Sequence, residues 1–339
     1  MTLPAVSVLM PVYNAELYIK EAIESILNQS FKDFELLIID DASTDKSVEI
    51  IESFHDHRIV LLQKLINSGI TDSLNMAIPL SKGKYIARMD ADDISFKNRF
   101  DLQFHYMENN PDVLVLGAMY KIIGTEITNK NLPITYDQVK PVSLMKTPVA
   151  HPTVFIRRNV FDTYNLKYDR SLEPAEDFDL WSRVIEFGKV ENLPEVLLHY
   201  RVHQEQISSL RKEKQIEMAN KVILRQLLKL IDFNNKTYDS DFSVRILSQH
   251  HWDVTSDDLI KVDSFLKDIW AANKEKKMYN ELFLLEILKE IWIHYIYKLK
   301  KYELKNLLSL LRNPIKIKSL GILFNIKFVV KSFLAWETK

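Results

Sequence analysis

Cysteine is absent from the 339 residues, which excludes disulfides, thiolate metal centres and a cysteine nucleophile. Glycine is scarce. The six present, Gly69, Gly83, Gly117, Gly124, Gly188 and Gly321, never stand close enough for the GxGxxG or Walker-type loops that cradle phosphate in Rossmann dehydrogenases and P-loop enzymes. An excess of either charge is missing too, and a formal net charge of −1 offers no basic face for nucleic acid. No run reaches the ~18 uncharged apolar residues of a membrane span. The nearest, IKIKSLGILFNIKFVV, is interrupted by Lys316, Lys318 and Lys327. The opening MTLPAVSVLMPVYN lacks the basic leading region of a signal peptide and reads as a first strand. These absences predict a soluble or membrane-surface protein suited to a reducing cytoplasm.

What is present is enough apolar residue, 47% of the chain, to fill a core and a second unit. Up to about residue 210 the pattern alternates. Apolar, β-branched runs at Val6–Val12, Phe34–Ile39, Ile59–Leu62 and Lys84–Met89 predict strands. Helical stripes follow the first three, at Ile19/Ile23/Ile26/Leu27 with Asn14 as N-cap, at Ser47–Phe54 and at Thr71–Leu80. Such alternation predicts an α/β domain with a mostly parallel sheet flanked by helices. Beyond it, 216–231, 255–272 and 280–300 carry Leu/Ile/Lys/Glu-rich helical periodicity. The expected division is therefore 1–215 for the α/β domain and 216–339 for a helical C-terminal domain. The end of the chain is basic and aromatic (Lys316, Lys318, Phe324, Lys327, Phe328, Lys331, Phe333, Trp336). That pattern suits either an anionic membrane surface or a packed helix with its lysines in water.

Open α/β sheets bind ligands at the carboxyl ends of their strands. Here those ends carry Tyr13-Asn14, Asp40-Asp41 and the acidic run Asp90-Ala91-Asp92-Asp93. Side by side these aspartates repel, which leaves two explanations: a solvated turn or a hard cation. Without glycine-rich loops, a phosphate-bearing ligand needs another source of positive charge, and a divalent cation held by Asp90 and Asp92 supplies it. A second cluster, EPAEDFDLW (173–181), places Glu176 and Asp177 at the start of a helix whose apolar stripe is Leu180, Trp181, Val184 and Ile185. Acids there also stabilise the helix dipole with no further role. A third piece, HYRVHQEQISS (199–209), holds His203, a metal-ligand candidate only beside a carboxylate.

Taken in order, SVLMPVYNAELYIKEAIESILNQSF, LLIIDDASTDKS, NSGITDSLN, GKYIARMDADD, AEDFDLW and YRVHQEQIS resemble the inverting family-two glycosyltransferases of GT-A fold. Within that family they look most like bacterial lipooligosaccharide or capsule transferases of the β-1,3-N-acetylglucosaminyltransferase type. The resemblance spans roughly residues 5–210 and implies a GT-A domain using a UDP-sugar and Mn²⁺ or Mg²⁺. It implies that Tyr13, beside Pro11, lies against the uracil ring and that Asp41 accepts from the uracil N3–H. Asn67 and Asn75 match positions near the nucleotide. Asp90, with Ala91 beside it, contacts the ribose or helps at the metal; Asp92 is the direct metal ligand and His203 completes the site. Asp93 braces the loop, and Arg88 forms a structural ion pair.

The acceptor hydroxyl must lose its proton as it attacks, and Asp177 is the candidate general base, its pKa raised by like charges and partial burial. Base and leaving group on opposite faces of the anomeric carbon give inversion, hence a β-linked product from an α-linked donor. His151, Glu176 and Trp181 are candidates for the sugar or acceptor pocket. GlcNAc is the first donor to test, ahead of other hexoses or N-acetylhexosamines, with an oligosaccharide or glycolipid acceptor and peripheral association with the inner membrane face as the expected setting. The alternatives are a sugar nucleotidyltransferase, which would want a glycine-rich, arginine-bearing loop where MPVYNAE stands, and a non-catalytic nucleotide-sugar binding module.

Overall fold

The run Val6–Val12 is buried at every position, as a strand covered on both faces must be. In the computed structural model, which describes residues 3–125, 128–129, 132–203, 211–249 and 253–298, it is strand β1. Strands β2 (Phe34–Asp40) and β4 (Tyr85–Arg88) flank it in parallel, and β3 (Ile59–Gln63) continues the sheet beyond β2. Helices α1 (Ile19–Leu27), α2 (Ser47–Glu52) and α3 (Ile70–Ala77) make the crossovers. All four parallel strands coincide with the runs read from sequence.

Beyond β4 the sheet becomes mixed. Strands β5 (Ile94–Ser95), β6 (Val113–Ile122), β7 (Thr128–Asn129), β8 (Phe155–Arg157) and β9 (Lys189–Tyr200) extend it to the order β3-β2-β1-β4-β8-β6-β9-β5, with β7 on β6. The β4–β8, β8–β6 and β9–β5 pairs are antiparallel and β6–β9 is parallel, so the sheet is parallel throughout its first half and mixed in its second. Four further helices accompany this half: α4 (Arg99–Asn109), α5 (Tyr136–Val142), α6 (Asn159–Thr163) and α7 (Glu176–Val184).

Alternating side chains of the strands feed two cores. Val6, Val8, Met10, Leu36, Ile38 and Ala87 face α1 and Phe100 of α4. Leu9, Leu37, Ile39, Ile86 and Ile156 face Leu74 of α3 and Leu180, Trp181 and Val184 of α7. The parallel register sets Val12 beside Asp40 and Leu9 beside Arg88, so the segments leaving β1, β2 and β4 emerge along one edge. At the opposite end, a Cβ on Gly83 would lie 2.5 Å from the Ser7 nitrogen, and Gly83 N–H donates to Ser7 Oγ. Only glycine permits that approach.

One expected cap is absent. Asn14 is not the N-cap of α1, which begins at Ile19 after Tyr18 with no side-chain cap. Asn14 instead takes φ +49°, and its Oδ1 accepts from Thr44 N–H at 2.8 Å. Ala15 and Glu16 N–H donate to Ser47 Oγ and Asp45 Oδ2, so the turn after β1 is tied to the turn after β2.

Two compact units divide the chain: Met1–Ser143 with Thr147–Ala219, and Leu144–Lys146 with Asn220–Lys339. The second, among its described residues, is helical. It holds most of the helix Lys212–Leu230 and the helices Ser240–Leu247, Ser256–Lys276 and Glu281–Tyr297. Asp239 Oδ1 accepts from Phe242 N–H, a Thr255/Asp258 capping box opens the third helix, and Asn280 caps the last. Ile246, Val262, Phe265, Leu288 and Tyr295 are among its buried residues. No helix among the described residues is long and apolar enough to cross a membrane. The basic, aromatic stretch from Lys316 to Trp336 and the segment 204–210 lie outside the described residues.

Candidate functional site

The edge where β1, β2 and β4 end opens into a cleft of about 510 Å³, lined wholly by residues of the first unit. Pro11 and Tyr13 form part of its wall, and Tyr13 is 51% exposed. Asp41 lies deeper. Its Oδ1 accepts from Ser68 N–H at 3.0 Å, its Oδ2 from Gly69 N–H at 2.8 Å, and Lys64 Nζ pairs with it at 2.5 Å. Gly69 adopts φ +93°, which lets that backbone N–H turn toward the carboxylate. Asp41 thus organises the segment 64–69, which carries Asn67 into the cleft, and a carboxylate with about four lone-pair sites keeps one for a ligand. Asp40 stays in its turn, accepting from Ser43 N–H. Asn75 is placed elsewhere: both atoms of its amide bond the Tyr168 backbone.

The acidic run follows β4. Asp90, Ala91 and Asp92 line the cleft. Asp90 is gripped by both terminal nitrogens of the Arg88 guanidinium, so Arg88 makes the expected ion pair and also lines the cleft. Asp93 is fully buried and accepts from Arg201 N–H at 2.9 Å, the bracing role read from sequence. His203 Nε2 lies 2.9 Å from Asp92 Oδ2. That closeness is built from four contacts around the end of β9. Arg201 Nε donates to the Asp92 carbonyl at 2.7 Å, its guanidinium pairs with Glu21 and covers the Tyr18 ring, and Tyr18 packs on the His203 ring.

Burial works against so many carboxylates. It pushes Asp90 up to about 6, with Arg88 opposing and Asp92 adding repulsion. It drives Asp93 well above its ordinary value, and Asp90 and Asp92 push the same way. Behind the run, Arg99 is buried with its guanidinium on the Arg88 and Val154 carbonyls, and burial lowers it to about 9.

These residues fit a divalent cation. Carboxylate oxygens of Asp90, Asp92 and Asp93 converge within 4.8 Å, Asp93 Oδ2 is buried without a protein partner among the described residues, and an imidazole stands at Asp92. Oxygen donors with one imidazole suit Mn²⁺ or Mg²⁺.

The first turn of α7 supplies Glu176 and Asp177 to the same cleft. Asp177 is partly exposed and Oδ1 accepts from Phe178 N–H at 2.7 Å. Burial raises its pKa, with that N–H and Arg88 opposing. Glu176 is 6% exposed with Oε2 unpartnered among the described residues, and burial, with the Asp177 charge, pushes it up to about 8. Asp179 is turned away into a pair with Arg183.

His151 lines the cleft. Trp181 does not, which corrects its assignment to the sugar pocket. It is fully buried behind the cleft, edge-on to His151 and Tyr168. Helix α7 starts at the cleft and runs inward, so one turn beyond Asp177 is already core. Arg211 and Gln215, which nothing in the sequence singles out, line the cleft too, as does Glu173 at the start of the second acidic cluster. Arg211 pairs with Glu173 at 3.2 Å and Gln215 Nε2 donates to the Pro174 carbonyl. No local pattern marks Arg211 or Gln215, because they reach the cleft only through the fold.

Comparison with known proteins bears on the family and the fold. A family model described as Glycosyl transferase family 2 matches residues 7–164. An uncharacterized glycosyltransferase of Haemophilus influenzae is 34% identical over 232 residues, covering 65% of this chain and 72% of that protein. The putative glycosyltransferase EpsE of Bacillus subtilis is 35% identical over 231 residues, covering 66% and 81%. Among solved structures, S. aureus TarS 1–349 in complex with UDP-GlcNAc superposes with a TM-score of 0.56 at 18% identity, over 86% of this chain and 90% of that one. The mannosyltransferase PcManGT from Pyrobaculum calidifontis, in complex with GDP-Man and Mn²⁺, gives 0.55 at 15% identity, over 100% and 89%. At these identities the structures establish a shared GT-A-like fold.

Proposed function

The chain belongs to glycosyl transferase family 2, and from that premise we propose that it moves a sugar from a UDP-sugar to a glycan hydroxyl with inversion, forming a β-linkage. GlcNAc is the donor sugar we put first, ahead of other hexoses or N-acetylhexosamines, and surface polysaccharide or lipooligosaccharide the product. One observation supports the reading: Asp177 and the Asp92–His203 pair, drawn from different elements, line one and the same cleft, and a single displacement needs its base and its leaving-group cation in one site.

In this reading Tyr13 and Pro11 hold the base, Asp41 accepts from its N3–H, and Asn67, Asp90 and Ala91 line the nucleotide. Asp92 and His203 would hold Mn²⁺ or Mg²⁺, with Asp90 beside them; the cation supplies Lewis-acid stabilisation of the departing diphosphate. Asp177 takes the acceptor's proton as the hydroxyl attacks from the face opposite the leaving group. Arg88 fixes Asp90 and sets a positive charge in the wall of the cleft. The helical second unit we propose as the acceptor, membrane-surface or oligomer-contact region. Its setting would be the cytoplasm, peripheral to the inner membrane face, on the strength of the basic and aromatic residues between 316 and 336.

The test is a panel of UDP-sugars assayed for UDP release with Mn²⁺ or Mg²⁺, acceptor sugars being varied afterwards. UDP release that depends on the cation and rises with an acceptor sugar supports the proposal. Pyrophosphate release from a nucleoside triphosphate and a sugar phosphate, or binding of UDP-sugar with neither transfer nor slow donor hydrolysis, overturns it.

A further inference from the structure

Tyr168 is 3% exposed, and its hydroxyl lies 2.9 Å from His151 Nε2. The phenol cannot swing away. Asn75 bonds both its backbone N–H and its carbonyl, and the Trp181 ring stands edge-on to both Tyr168 and His151. Among the described residues His151 Nε2 is the only hydrogen-bond partner of that hydroxyl, and nothing hydrogen-bonds His151 Nδ1. Nδ1 is also not among the sequestered, unpartnered atoms of the interior, and the ring lines the cleft.

Protons can be assigned from these facts. Burial raises the Tyr168 pKa and lowers that of His151 well below its ordinary value, Arg88 adding to the second effect. The phenol therefore keeps a proton to donate, and the neutral imidazole carries one proton on one nitrogen. Were that proton on Nε2, it would point at the phenol oxygen and leave a buried O–H without an acceptor, which carries the full desolvation penalty. With the proton on Nδ1, Tyr168 donates to Nε2 and the remaining N–H faces the cleft, where ligand or water can accept it.

We propose that Tyr168 locks His151 in the Nδ1–H tautomer, making Nδ1 a fixed hydrogen-bond donor to a carbohydrate oxygen in the cleft, either a hydroxyl or the carbonyl of an N-acetyl group. His151 is then a specificity-determining residue and Tyr168 a positioning residue. The identity of the ligand rests on the sugar-transfer reading above; the tautomer does not. A nitrogen whose proton is set by the protein discriminates between ligand atoms, because it rewards an oxygen lone pair and leaves a second donor unpaired.

The tautomer is read by ¹⁵N NMR on the full chain with labelled histidine and no ligand. The His151 signal is assigned by its loss in His151→Asn among the nine histidines of the sequence. A protonated-type shift at Nδ1 and an unprotonated-type shift at Nε2 are expected, with Tyr168→Phe averaging the two. Binding is then measured with UDP, UDP-sugar and acceptor separately. His151→Phe is expected to lose about tenfold in kcat/KM, the value of one hydrogen bond, with UDP affinity unchanged. His151→Asn, whose amide nitrogen overlies Nδ1, should recover part of the loss. A drop confined to UDP-sugar affinity assigns the oxygen to the donor sugar; a rise confined to acceptor KM assigns it to the acceptor. An Nε2–H tautomer in the wild-type protein overturns the proposal even if sugar transfer is active. So does a His151→Phe protein whose UDP-sugar affinity and acceptor KM both match wild type.

Discussion

Asp92 and His203, 111 residues apart in the chain, bring a carboxylate oxygen and an imidazole nitrogen within 2.9 Å. Neither residue places the other. The contact is made by Arg201, which holds the end of β9 against the acidic run and against α1. The pair is short enough for one ion to engage both groups, or for an imidazolium to bond the carboxylate directly.

Asp92→Ala and His203→Ala should therefore each weaken Mn²⁺ binding by at least about 10–100-fold, the cost of losing even an outer partner of a metal ligand. Calorimetry with Mn²⁺ alone, then with UDP, reads the loss. Wild-type affinity in Asp92→Ala would remove that residue from the metal site.

Asp177→Asn keeps the shape of the α7 turn and removes the base. Turnover should fall roughly 10²–10⁴-fold while UDP-sugar affinity stays near wild type. Equal losses in turnover and donor affinity would instead assign Asp177 to binding.

The acid limb of the pH–rate profile follows from Asp177. A base must be ionised, and burial raises this carboxyl above its ordinary 3.8. Activity should therefore climb with pH through a midpoint above the normal aspartate range. A midpoint at or below 3.8 would mean that the limiting group is not this one.

Glu176 affects stability rather than the limb. Its folded value of about 8 exceeds the ordinary 4.5, so the native state holds a proton that the unfolded state gives up. Stability from this group is intact below about pH 4.5 and declines as pH rises through 8, by at most about 1.4 kcal/mol per pH unit. Glu176→Gln, neutral throughout, should flatten the dependence of Tm on pH across that window. Parallel curves for the two proteins would sink the assignment.

Trp181 is fully buried, so Trp181→Ala should cost about 3–5 kcal/mol of stability by opening a cavity. Denaturant unfolding measures it. Because the ring sits behind His151 rather than in the cleft, Trp181→Phe should leave UDP affinity unchanged and lower the denaturation midpoint.

Legibility in the sequence followed the range of the interactions. Strands β1 to β4 were readable because each is a short apolar run whose burial is decided by its own composition. The C-terminal helices were readable from their 3.6-residue periodicity. Strands β5, β7 and β8 were not, since two or three residues carry no periodicity and gain strand geometry only from β4, β6 and β9. Asn14 failed as a cap for a related reason. Its side chain had a local use before a helix and a distant one on Thr44, and the distant one prevailed.

In the site, residue types offered Asp90, Asp92, Glu176 and Asp177 as candidates, because carboxylates at strand and helix ends are costly unless used or solvated, and the family resemblance singled out His203 beside them. The company they keep was not legible. That Arg88 would grip Asp90, that Arg99 would lie behind both, or that Asp41 would spend most of its lone pairs on residues 64–69 depends on which atoms share a volume.

The sequence by itself determined the chemistry on offer: an α/β sheet without phosphate-binding glycines, carboxylates where its strands end, and a stretch of amphipathic helices after it. Only the tertiary structure decided which of those groups meet, which oxygen stays unpartnered and which nitrogen of His151 faces outward. The reason is physical. Backbone conformation answers to neighbours a few residues away, whereas charge, burial and hydrogen bonding answer to whatever lies within a few ångströms, and in this chain Arg201 finds such a neighbour in Glu21, 180 residues away.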